Sequence, residues 1–366
     1  MTRVAAFTDT YLPTVNGVTY TIEAWRDHWN DDHGRMDVVY PGTTEYTPRS
    51  REHPVRSLPF PFYDGVRVGA PSIPDTVPNA DVVHAHTAFG LGLAARRYAR
   101  KRDLPLVASY HTPTAEYAEY ITSRDRVLAS ISTASEAYER WYYDRTDLVL
   151  APSEPTKRHL VDDLEITTPV RVVPNGIDTD RFQPVDGDAF RERYDLEGPL
   201  VGYTGRHGFE KRLGDVLDAT DGMDDVTVVF GGDGPARERL EARARRADVD
   251  VRFLGFLDRE ELSAFYSALD VFAFPSPVET QGLVALEANA CGTPVAGVDA
   301  GALADTIDDG TTGYHYDPGD IDGFGDAIER ALAEHDRLAE NCLDRRDSIS
   351  IDTAVDELER HYDAVQ

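Results

Sequence analysis

Two glutamates at a strand-to-helix junction are the first residues whose types and spacing could do chemistry. Glu279 precedes Gly282, where two prolines and a loop give way to the apolar helical stretch 283–290, and Glu287 follows Glu279 by eight residues. By the usual rise per residue, a helix that begins at Gly282 places Glu287 roughly 7 Å along its axis. The helix-start amides between the two carboxylates attract anions. These amides belong to Gly282, Leu283 and Val284. Because carboxylates accept hydrogen bonds from hydroxyls, the junction suits a sugar–diphosphate–ribose ligand. Two solvated glutamates at an ordinary helix start would show the same sequence pattern.

Two cations follow the first predicted strand of the C-terminal half. Arg206 and Lys211 lie in the stretch 205–212, directly after the apolar run 200–204. Fixed cations together with helix-start amides can bind one anion. A basic helix surface with Glu210 as its ion-pair partner explains the same residues, and both interpretations stay open. The glycine-rich loop 231–235 lacks the spacing of a dinucleotide fingerprint, so we discard that interpretation.

Three further positions in the N-terminal half follow predicted strands. Asn16 and Gly17 come after the apolar stretch 3–8 and before the predicted helix 19–29, so they fit either a ligand loop or a tight turn. His111 follows the predicted strand 106–110, at a strand end where ligands of α/β sheets bind. His84 and His86 also follow a strand, and we interpret both as structural histidines.

The elements that must position these residues alternate between short apolar runs and helical stretches, which predicts parallel sheets. Predicted strands of the C-terminal half are 200–204, 226–230, 251–254, 271–274 and 294–297. We predict an N-terminal domain over 1–178, an interdomain linker over 179–198 and a C-terminal domain over 199–345. Residues 346–366 are predicted to contain a helix that packs back on the N-terminal domain.

Composition excludes several classes of protein. The chain has 37 Lys and Arg against 66 Asp and Glu, a net charge of −29, so it lacks the basic footprint of a nucleic-acid-binding protein. Such acidity fits a halophilic protein, because repulsion between surface charges is screened within about 3 Å at molar salt. Two cysteines cannot build a disulfide scaffold or a Cys-rich zinc site. With no signal peptide in residues 1–9 and no long apolar run, we expect a cytoplasmic protein with at most peripheral membrane contact.

Taken in chain order, these landmarks resemble the retaining GT-B glycosyltransferases of family 4 over nearly the whole chain. The matching landmarks are residues 13–17, the His111 junction, residues 174–178, Arg206 with Lys211, and Glu279 with Glu287. The resemblance implies an α/β fold of two Rossmann-like parallel-sheet domains facing a central cleft. It implies a nucleotide sugar, UDP- or GDP-hexose, held mostly by the C-terminal domain, with the acceptor on the N-terminal one. No cofactor and no metal ion are expected.

The same resemblance implies a role for each site residue. Arg206 and Lys211 neutralise the donor diphosphate, Glu279 accepts from sugar hydroxyls, Glu287 binds ribose and His111 contacts the donor sugar. The implied catalytic residues are His111, Arg206, Lys211 and Glu279. The implied donor-binding residues are Gly17, Arg206, Lys211, Gly255, Phe256, Glu279, Gly282, Leu283, Val284 and Glu287. No protein nucleophile is evident, so the hypothesis is a front-face reaction in which the leaving phosphate helps to deprotonate the acceptor.

The acceptor is predicted from the similarity of this sequence to one branch of the family. The stretch around His111, with Tyr117, is similar to diacylglycerol glucosyltransferases, which implies a lipid hydroxyl as acceptor. Acceptor or membrane contacts are assigned to Asn16, Tyr117, Arg96, Arg97 and Arg100. The basic stretch 92–102 fits an anionic membrane surface, and a solvated helix end whose cations complement the helix dipole is the alternative.

Three rival functions remain open from the sequence. The first is glycosyl transfer to a soluble sugar or glycan intermediate, and the second is a nucleotide-sugar epimerase of GT-B fold. The third, a catalytically silent binding subunit, is disfavoured because the charged residues of the site are all present. One departure from the family pattern lies at residues 299–305, where relatives usually carry a Gly-Gly pair followed by Glu.

Overall fold

The computed structural model describes residues 1–59, 67–111, 125–223 and 225–366, and the side chains of residues 125–132 lie outside that description. The chain forms two compact units. Unit 1 comprises residues 1–176 together with 351–366, and unit 2 comprises residues 177–350. Tyr117 lies outside the described residues.

Strands and helices alternate through both units. The strands are β1 (Thr2–Phe7), β2 (Gly34–Pro41), β3 (Glu52–Val55), β4 (Ser57–Pro59), β5 (Arg67–Gly69), β6 (Val82–Ala85), β7 (Leu106–Ser109), β8 (Leu148–Ala151), β9 (Val170–Val172), β10 (Leu200–Thr204), β11 (Thr227–Gly231), β12 (Asp250–Gly255), β13 (Val271–Phe274), β14 (Val295–Val298) and β15 (Gly313–Tyr316). The α-helices are α1 (Gly17–His28), α2 (Gly90–Arg102), α3 (Asp125–Tyr143), α4 (Glu154–Arg158), α5 (Asp188–Tyr194), α6 (Gly214–Ala219), α7 (Arg237–Ala244), α8 (Leu262–Ala268), α9 (Leu283–Ala290), α10 (Leu303–Thr306), α11 (Ile321–Ala333), α12 (His335–Asp344) and α13 (Ile351–Val365). Single π-helical turns span Trp29–His33 and His159–Asp163, and 3-10 turns span Phe209–Lys211, Arg259–Glu261 and Arg346–Ile349.

Unit 1 contains a parallel sheet in the order β3-β2-β1-β6-β7-β8-β9, and β4 and β5 form a separate antiparallel pair. Its central strands are buried on both faces, as their apolar sequences require. The terminal helix α13 belongs to this unit, because Val355, Leu358 and Tyr362 pack in one cluster with Trp25 and Trp29.

Unit 2 contains a parallel sheet in the order β12-β11-β10-β13-β14-β15. Part of the stretch 179–198, which the sequence analysis assigns to a linker, is helix α5, whose Phe190 is 5% exposed within the core of unit 2. Residues 346–350 also belong to unit 2, where the amide of Ile177 donates to the carbonyl of Ile349 at 2.8 Å. Strand β15 has no counterpart among the predicted strands.

Each sheet reverses its chain order at one point. In unit 1 the chain runs outward from β1 through β2 to β3 and then returns to β6, on the other side of β1. In unit 2 it runs outward from β10 through β11 to β12 and then returns to β13, beside β10. The loops that follow the two central strands diverge there and open a crevice, which is where ligands of doubly wound sheets bind. The fold thus defines one candidate crevice in each unit.

Candidate functional site

Lys211 and Glu279 meet at the crevice of unit 2. Lys211 ends the turn after β10, and Glu279 lies in the loop after β13. The Nζ atom of Lys211 lies 2.6 Å from Oε1 of Glu279, and the side chains are only 19% and 14% exposed. Burial by itself would lower the pKa of Lys211, but the charge of Glu279 outweighs it and the pKa is raised. Lys211 is therefore a fixed, largely desolvated cation.

Arg206 lies on the same loop as Lys211 and is paired within it. Its Nη2 atom lies 2.5 Å from Oε1 of Glu210. Gly208 lies between them, and a Cβ atom there would overlap the Glu210 carboxylate, so a side chain at this position would push the carboxylate away. The structure thus shows the ion pair with Glu210 that the sequence allowed. This ion pair holds Arg206 near the start of the loop that ends at Lys211.

The loop of Arg206 rests on the glycine-rich loop after β11. His207 is fully buried, its backbone N–H donates to the carbonyl of Asp233 at 2.8 Å, and its Nε2 lies 3.0 Å from the carbonyl oxygen of Gly231. Gly232 has a φ of 99°, and a Cβ atom there would overlap the carbonyl of Gly205. No role is predicted from the sequence for the stretch 231–235. Its glycines were the available signal, because a close backbone approach requires them.

Helix α9 begins at the same crevice with its N-terminus uncapped by any side chain in the described ranges. Gly282, the residue before it, has a φ of 77°, and a Cβ atom there would lie 2.7 Å from Leu303 Cδ2. Only glycine fits this position without strain. The first amides of the helix, at Leu283 and Val284, have the orientation that binds an anion.

Glu287 lies one turn further along α9 and is held by Tyr266 of α8. The hydroxyl of Tyr266 donates to Oε2 of Glu287 at 2.7 Å. Burial raises the pKa of Glu287 to about 7, although the hydrogen bond from Tyr266 opposes the shift. Glu287 therefore titrates near neutrality, and one of its two oxygens is already engaged. Sequence reasoning missed Tyr266, which lies in an apolar stretch that carried no motif.

Gly255, the last residue of the edge strand β12, and Phe256, the residue after it, are both predicted to bind the donor. Gly255 has a φ of 75°, and its carbonyl accepts from the amide of Gly232 at 2.6 Å. The side chain of Phe256 is 68% exposed. The aromatic ring that follows the edge strand is thus exposed to solvent, while the carbonyl of Gly255 is already bonded within the fold.

In unit 1, Asn16 and Gly17 form the start of helix α1. The Oδ1 atom of Asn16 accepts from the amide of Thr19 at 2.9 Å, and its Nδ2 donates to Oγ1 of Thr10 at 2.9 Å. Asn16 is therefore the N-cap of α1, and Gly17 is the first helical residue. Both polar groups of Asn16 form hydrogen bonds within unit 1. Asn16 and Gly17 therefore form the start of a capped helix, not the tight turn that the sequence also allowed.

His111 belongs to a cluster of buried histidines beside the crevice of unit 1. His84, His86 and His111 are 0%, 1% and 9% exposed. The Nδ1 atom of His86 lies 3.1 Å from Nε2 of His111. His84 is bonded to Ser109 and Tyr362, at 2.8 and 2.6 Å. Desolvation lowers the pKa of His111 to about 4, so its ring is neutral.

The five cations of α2, which we call the basic face, lie in the last turns of that helix. They are Arg96, Arg97, Arg100, Lys101 and Arg102. None forms an ion pair in the part of the chain that the structure describes. The guanidinium of Arg96 lies 5.4 Å from the centre of the Trp141 ring. Trp141, Leu93 and Phe89 are 39%, 38% and 42% exposed, so the surface of unit 1 displays unpaired cations as well as exposed apolar groups.

Among the described residues, few features could bind a metal ion or span a membrane. The one group of side chains that could hold a metal ion is His33 with Asp356 and Glu359, and it includes no predicted site residue. No helix among the described residues is both long and apolar enough to cross a bilayer.

Solved structures share this architecture of two parallel-sheet α/β units, which is the GT-B glycosyltransferase fold. Sucrose-phosphate synthase from Thermosynechococcus elongatus superposes with a TM-score of 0.82 at 20% identity, covering 99% of this chain and 98% of that one. The predicted fold class is thereby confirmed.

Sequence comparison defines the family. The model "Glycosyltransferase Family 4" matches residues 15–181, and the model "Glycosyl transferases group 1" matches residues 187–345. A GDP-mannose-dependent alpha-mannosyltransferase of Mycolicibacterium smegmatis is 31% identical over 99% of this chain and 97% of its own length. The alpha-monoglucosyldiacylglycerol synthase of Streptococcus pneumoniae is 29% identical over 91% of this chain and 79% of its own length. The chain belongs to glycosyltransferase family 4, as its sequence motifs predict.

Proposed function

We propose that this glycosyltransferase moves a hexose from UDP- or GDP-sugar to a hydroxyl of a membrane lipid, with retention of configuration and without a metal ion. The observation that carries the donor half of the proposal is the buried pair of Lys211 and Glu279 at the crevice of unit 2. A diphosphate offers Lys211 a partner of higher charge than one carboxylate. Glu279 would then turn to the sugar hydroxyls.

The neighbouring groups support the same donor. Arg206 lies near Lys211 along the loop, and the start of α9 supplies amides, so the charge that develops on a leaving diphosphate meets fixed donors without a metal ion. Glu287 can accept from ribose through the oxygen that Tyr266 does not engage. The exposed ring of Phe256 offers a face to a nucleobase.

The basic face supports a lipid acceptor. Its unpaired cations stand out in a chain of net charge −29, and at physiological ionic strength each cation near an anionic membrane surface contributes about 1 kcal/mol. In concentrated salt screening reduces this contribution, and the apolar groups carry more of the binding. Exposed apolar side chains at Phe89, Leu93 and Trp141 are the groups that insert at the interface. The protein would act as a peripheral protein on the cytoplasmic face. Its acidic surface fits operation in concentrated salt.

Retention without a protein nucleophile is part of the proposal. The carboxylates at the crevice of unit 2 are engaged by Lys211 and Tyr266, which suits binding and not attack on a sugar carbon. A front-face reaction, in which the leaving phosphate takes the proton of the acceptor hydroxyl, needs no further group from the chain. Trapping of a glycosyl–enzyme adduct would contradict it.

A second candidate is mannosyl transfer from GDP-mannose to a soluble sugar or glycan. The supporting observation is the similarity to the Mycolicibacterium smegmatis mannosyltransferase over nearly its full length. The two candidates predict different donors and different solubility of the product. An epimerase would instead convert the nucleotide sugar with no acceptor present.

The test is an assay of the full chain in high salt with UDP-glucose, UDP-galactose and GDP-mannose. Each donor is offered with diacylglycerol or diether-lipid vesicles, with soluble sugars, and alone, in the presence and absence of EDTA. We expect nucleotide diphosphate release and a glycolipid whose anomeric configuration by NMR matches the donor, unaffected by EDTA. Glu279→Gln should lower kcat and raise the donor KM, whereas Glu238→Gln, an exposed glutamate on α7, should change neither. Transfer only to soluble sugars would favour the second candidate.

A further inference from the structure

The histidine cluster of unit 1 contains a hydrogen-bond contact between two imidazole rings, those of His86 and His111. His86 lies directly after β6, and His111 lies two residues after β7, the neighbouring strand. The family resemblance assigns a role to His111 only. The sequence alone predicts a structural role for His86, yet its ring is a second buried imidazole at this contact.

The two rings lie edge to edge and nearly coplanar. Nδ1 of His86 is 3.1 Å from Nε2 of His111, the ring centres are 5.4 Å apart, and the planes differ by 13°. An imidazole N–H and an imidazole lone pair both lie in the plane of their ring, so this arrangement is that of an N–H···N hydrogen bond. His84 instead packs against the face of His86 with a tilt of 30°, and the ring centres are 4.0 Å apart.

The plane of His86 is fixed by its neighbours. His84 is anchored at both ring nitrogens, by Ser109 and Tyr362. The ring of Trp25 lies 5.8 Å from that of His86, and its Nε1 donates to the carbonyl of Asn175 at 2.7 Å. His86 therefore cannot swing away from His111 without disturbing packed side chains.

Both histidines of the contact are neutral. Burial is the main reason that the pKa of each ring is lowered. The pKa of His111 falls to about 4, and that of His86 falls well below its usual value. A neutral imidazole carries one proton, on either Nδ1 or Nε2. At the contact, one of the two facing nitrogens must therefore hold a proton and the other must present a lone pair.

The far nitrogen of His86 decides between the two arrangements. Among the residues that the structure describes, Nε2 of His86 is fully buried and has no hydrogen-bond partner. If His111 donated to His86, the proton of His86 would sit on this nitrogen as a buried N–H without an acceptor, which is rare and costly. If His86 donates, Nε2 is only an unused acceptor.

We propose that His86 is a positioning residue that fixes the tautomer of His111. Nδ1–H of His86 donates to Nε2 of His111, and His111 therefore carries its own proton on Nδ1. His111 is then a hydrogen-bond donor at Nδ1, while the lone pair of Nε2 is taken. In the predicted contact of His111 with the donor sugar, its ring could act only as a donor. With Nδ1 protonated and the lone pair of Nε2 taken, no ring nitrogen of His111 could remove a proton from the acceptor. The consequence for catalysis rests on the proposed function, whereas the tautomer does not.

The primary test is ¹⁵N NMR of the full chain labelled at histidine, because protonated and lone-pair ring nitrogens give well-separated signals. His111 is identified by the loss of its signals in His111→Asn. We expect a lone-pair nitrogen at Nε2 of His111 and a protonated one at Nδ1, in the wild-type protein at neutral pH. A protonated Nε2 on His111 would overturn the proposal, and this measurement requires no variant of His86.

Two variants of His86 separate positioning from packing. In His86→Asn the amide nitrogen can occupy the place of Nδ1 and donate to His111, whereas His86→Leu fills similar volume without a donor. We expect His86→Asn to retain the His111 tautomer and most of kcat. His86→Leu should give mixed tautomer signals and at least about a tenfold lower kcat, equivalent to about 1.4 kcal/mol, with little change in the donor KM.

The outcomes also distinguish this inference from the proposed function. An unchanged His111 tautomer in folded His86→Leu, or equal kcat in folded His86→Leu and His86→Asn, would overturn the positioning role. If His86→Leu does not fold, the wild-type and His86→Asn spectra still decide the tautomer. Absence of transfer by the wild-type chain with every donor would contradict the proposed function and leave the NMR result as the test of the tautomer.

Discussion

The ammonium group of Lys211 lies 2.6 Å from a carboxylate oxygen of Glu279, although 68 positions separate the two residues in the chain. Strands β10 and β13 are neighbours in the sheet, and the loops that follow them carry these two residues to the same crevice. Each charge neutralises the other where both are mostly desolvated. A diphosphate that binds there has to compete with Glu279 for Lys211.

Breaking this pair from one side should cost more than removing it. Lys211→Met leaves a mostly buried carboxylate without its counter-charge, and we expect a loss of about 1–3 kcal/mol in the free energy of unfolding. The double variant Lys211→Met/Glu279→Gln removes both charges and should recover part of that loss. Urea unfolding of the wild type, both single variants and the double variant at neutral pH measures the coupling. Transfer activity should fall by about 10²–10³ in kcat for Lys211→Met, since a fixed charge at the leaving group is lost.

The matched control is the pair of Arg243 and Asp218, which is also in unit 2. Its side chains are 43% and 37% exposed, so the same double-variant cycle should give less than about 1 kcal/mol of coupling. If the changes in the free energy of unfolding for the Lys211 and Glu279 variants add to within about 0.5 kcal/mol, their contact stabilises the protein no more than a surface pair does.

The buried carboxyl of Glu287 should make stability depend on pH. Its pKa is raised from 4.5 to about 7 in the folded protein, so the folded state binds a proton that the unfolded state releases. Its contribution to stability is therefore lost as pH rises between these two values. Glu287→Gln removes the ionisation and keeps an oxygen that can accept from Tyr266. We expect the variant to gain stability relative to the wild type at about pH 8.5, and to gain less at about pH 5.5, measured by urea unfolding.

The donor affinity gives an independent measurement at the same residue. If the ionised form of Glu287 binds ribose, the donor KM of the wild type should rise as pH falls below about 7, and that of Glu287→Gln should be high and independent of pH. A stability difference between variant and wild type that does not change with pH would contradict the raised pKa.

Gly232 should be essential for the loop that carries Arg206. In Gly232→Ala the methyl group would overlap the carbonyl of Gly205 at a φ of 99°. We expect a loss of at least about 1–3 kcal/mol in the free energy of unfolding together with a higher donor KM. Gly319→Ala is the matched control, because Gly319 also has a positive φ, 86°, but no neighbouring atom within 4 Å of a Cβ. In the control we expect only the free-energy cost of a positive φ at alanine and an unchanged donor KM. Equal effects in both variants would mean that the loop 231–235 does not support the loop of Arg206.

Charge reversal on the basic face should abolish membrane binding. Replacement of Arg96, Arg97 and Arg100 by Glu turns three cations into repelling anions, and we expect binding to anionic vesicles to be lost in a sedimentation assay. Wild-type binding should weaken as salt is raised, because these charges are exposed. Transfer to a soluble acceptor, if any is found, should persist.

A control of equal charge is available in unit 2. Arg239, Arg245 and Arg246 are exposed, and their replacement by Glu changes the net charge by the same amount. Vesicle binding should survive in this variant. Equal loss in both triple variants would assign binding to overall charge and not to α2.

Several features were predictable because they depend on neighbours in sequence. The stretch from the strand at 271–274 through Gly282 to the helix at 283–290 was predicted, and the structure places β13 and α9 there with Gly282 at a positive φ. Apolar runs and breaker residues act over a few positions, so local physics decides them. Strand β15 was missed because Gly313–Tyr316 is too short and mixed in composition to show a period.

Other features depended on contacts between distant residues. Helix α5 could not be separated from a linker, because only the packing of Phe190 in unit 2 distinguishes the two. The engagement of Glu287 by Tyr266 and the support of His207 by the loop 231–235 also escaped prediction. None of these partners lies within a motif.

By itself the sequence determined the alternation of strands and helices, the acidic surface and the order of family 4 motifs, all of which are local or compositional. Only the tertiary structure decided that Lys211 pairs with Glu279 and that His86 bonds His111. The physical reason is that each pair joins loops after neighbouring strands, and strand order and register arise from burying the whole sheet. No spacing along the chain records which strands become neighbours.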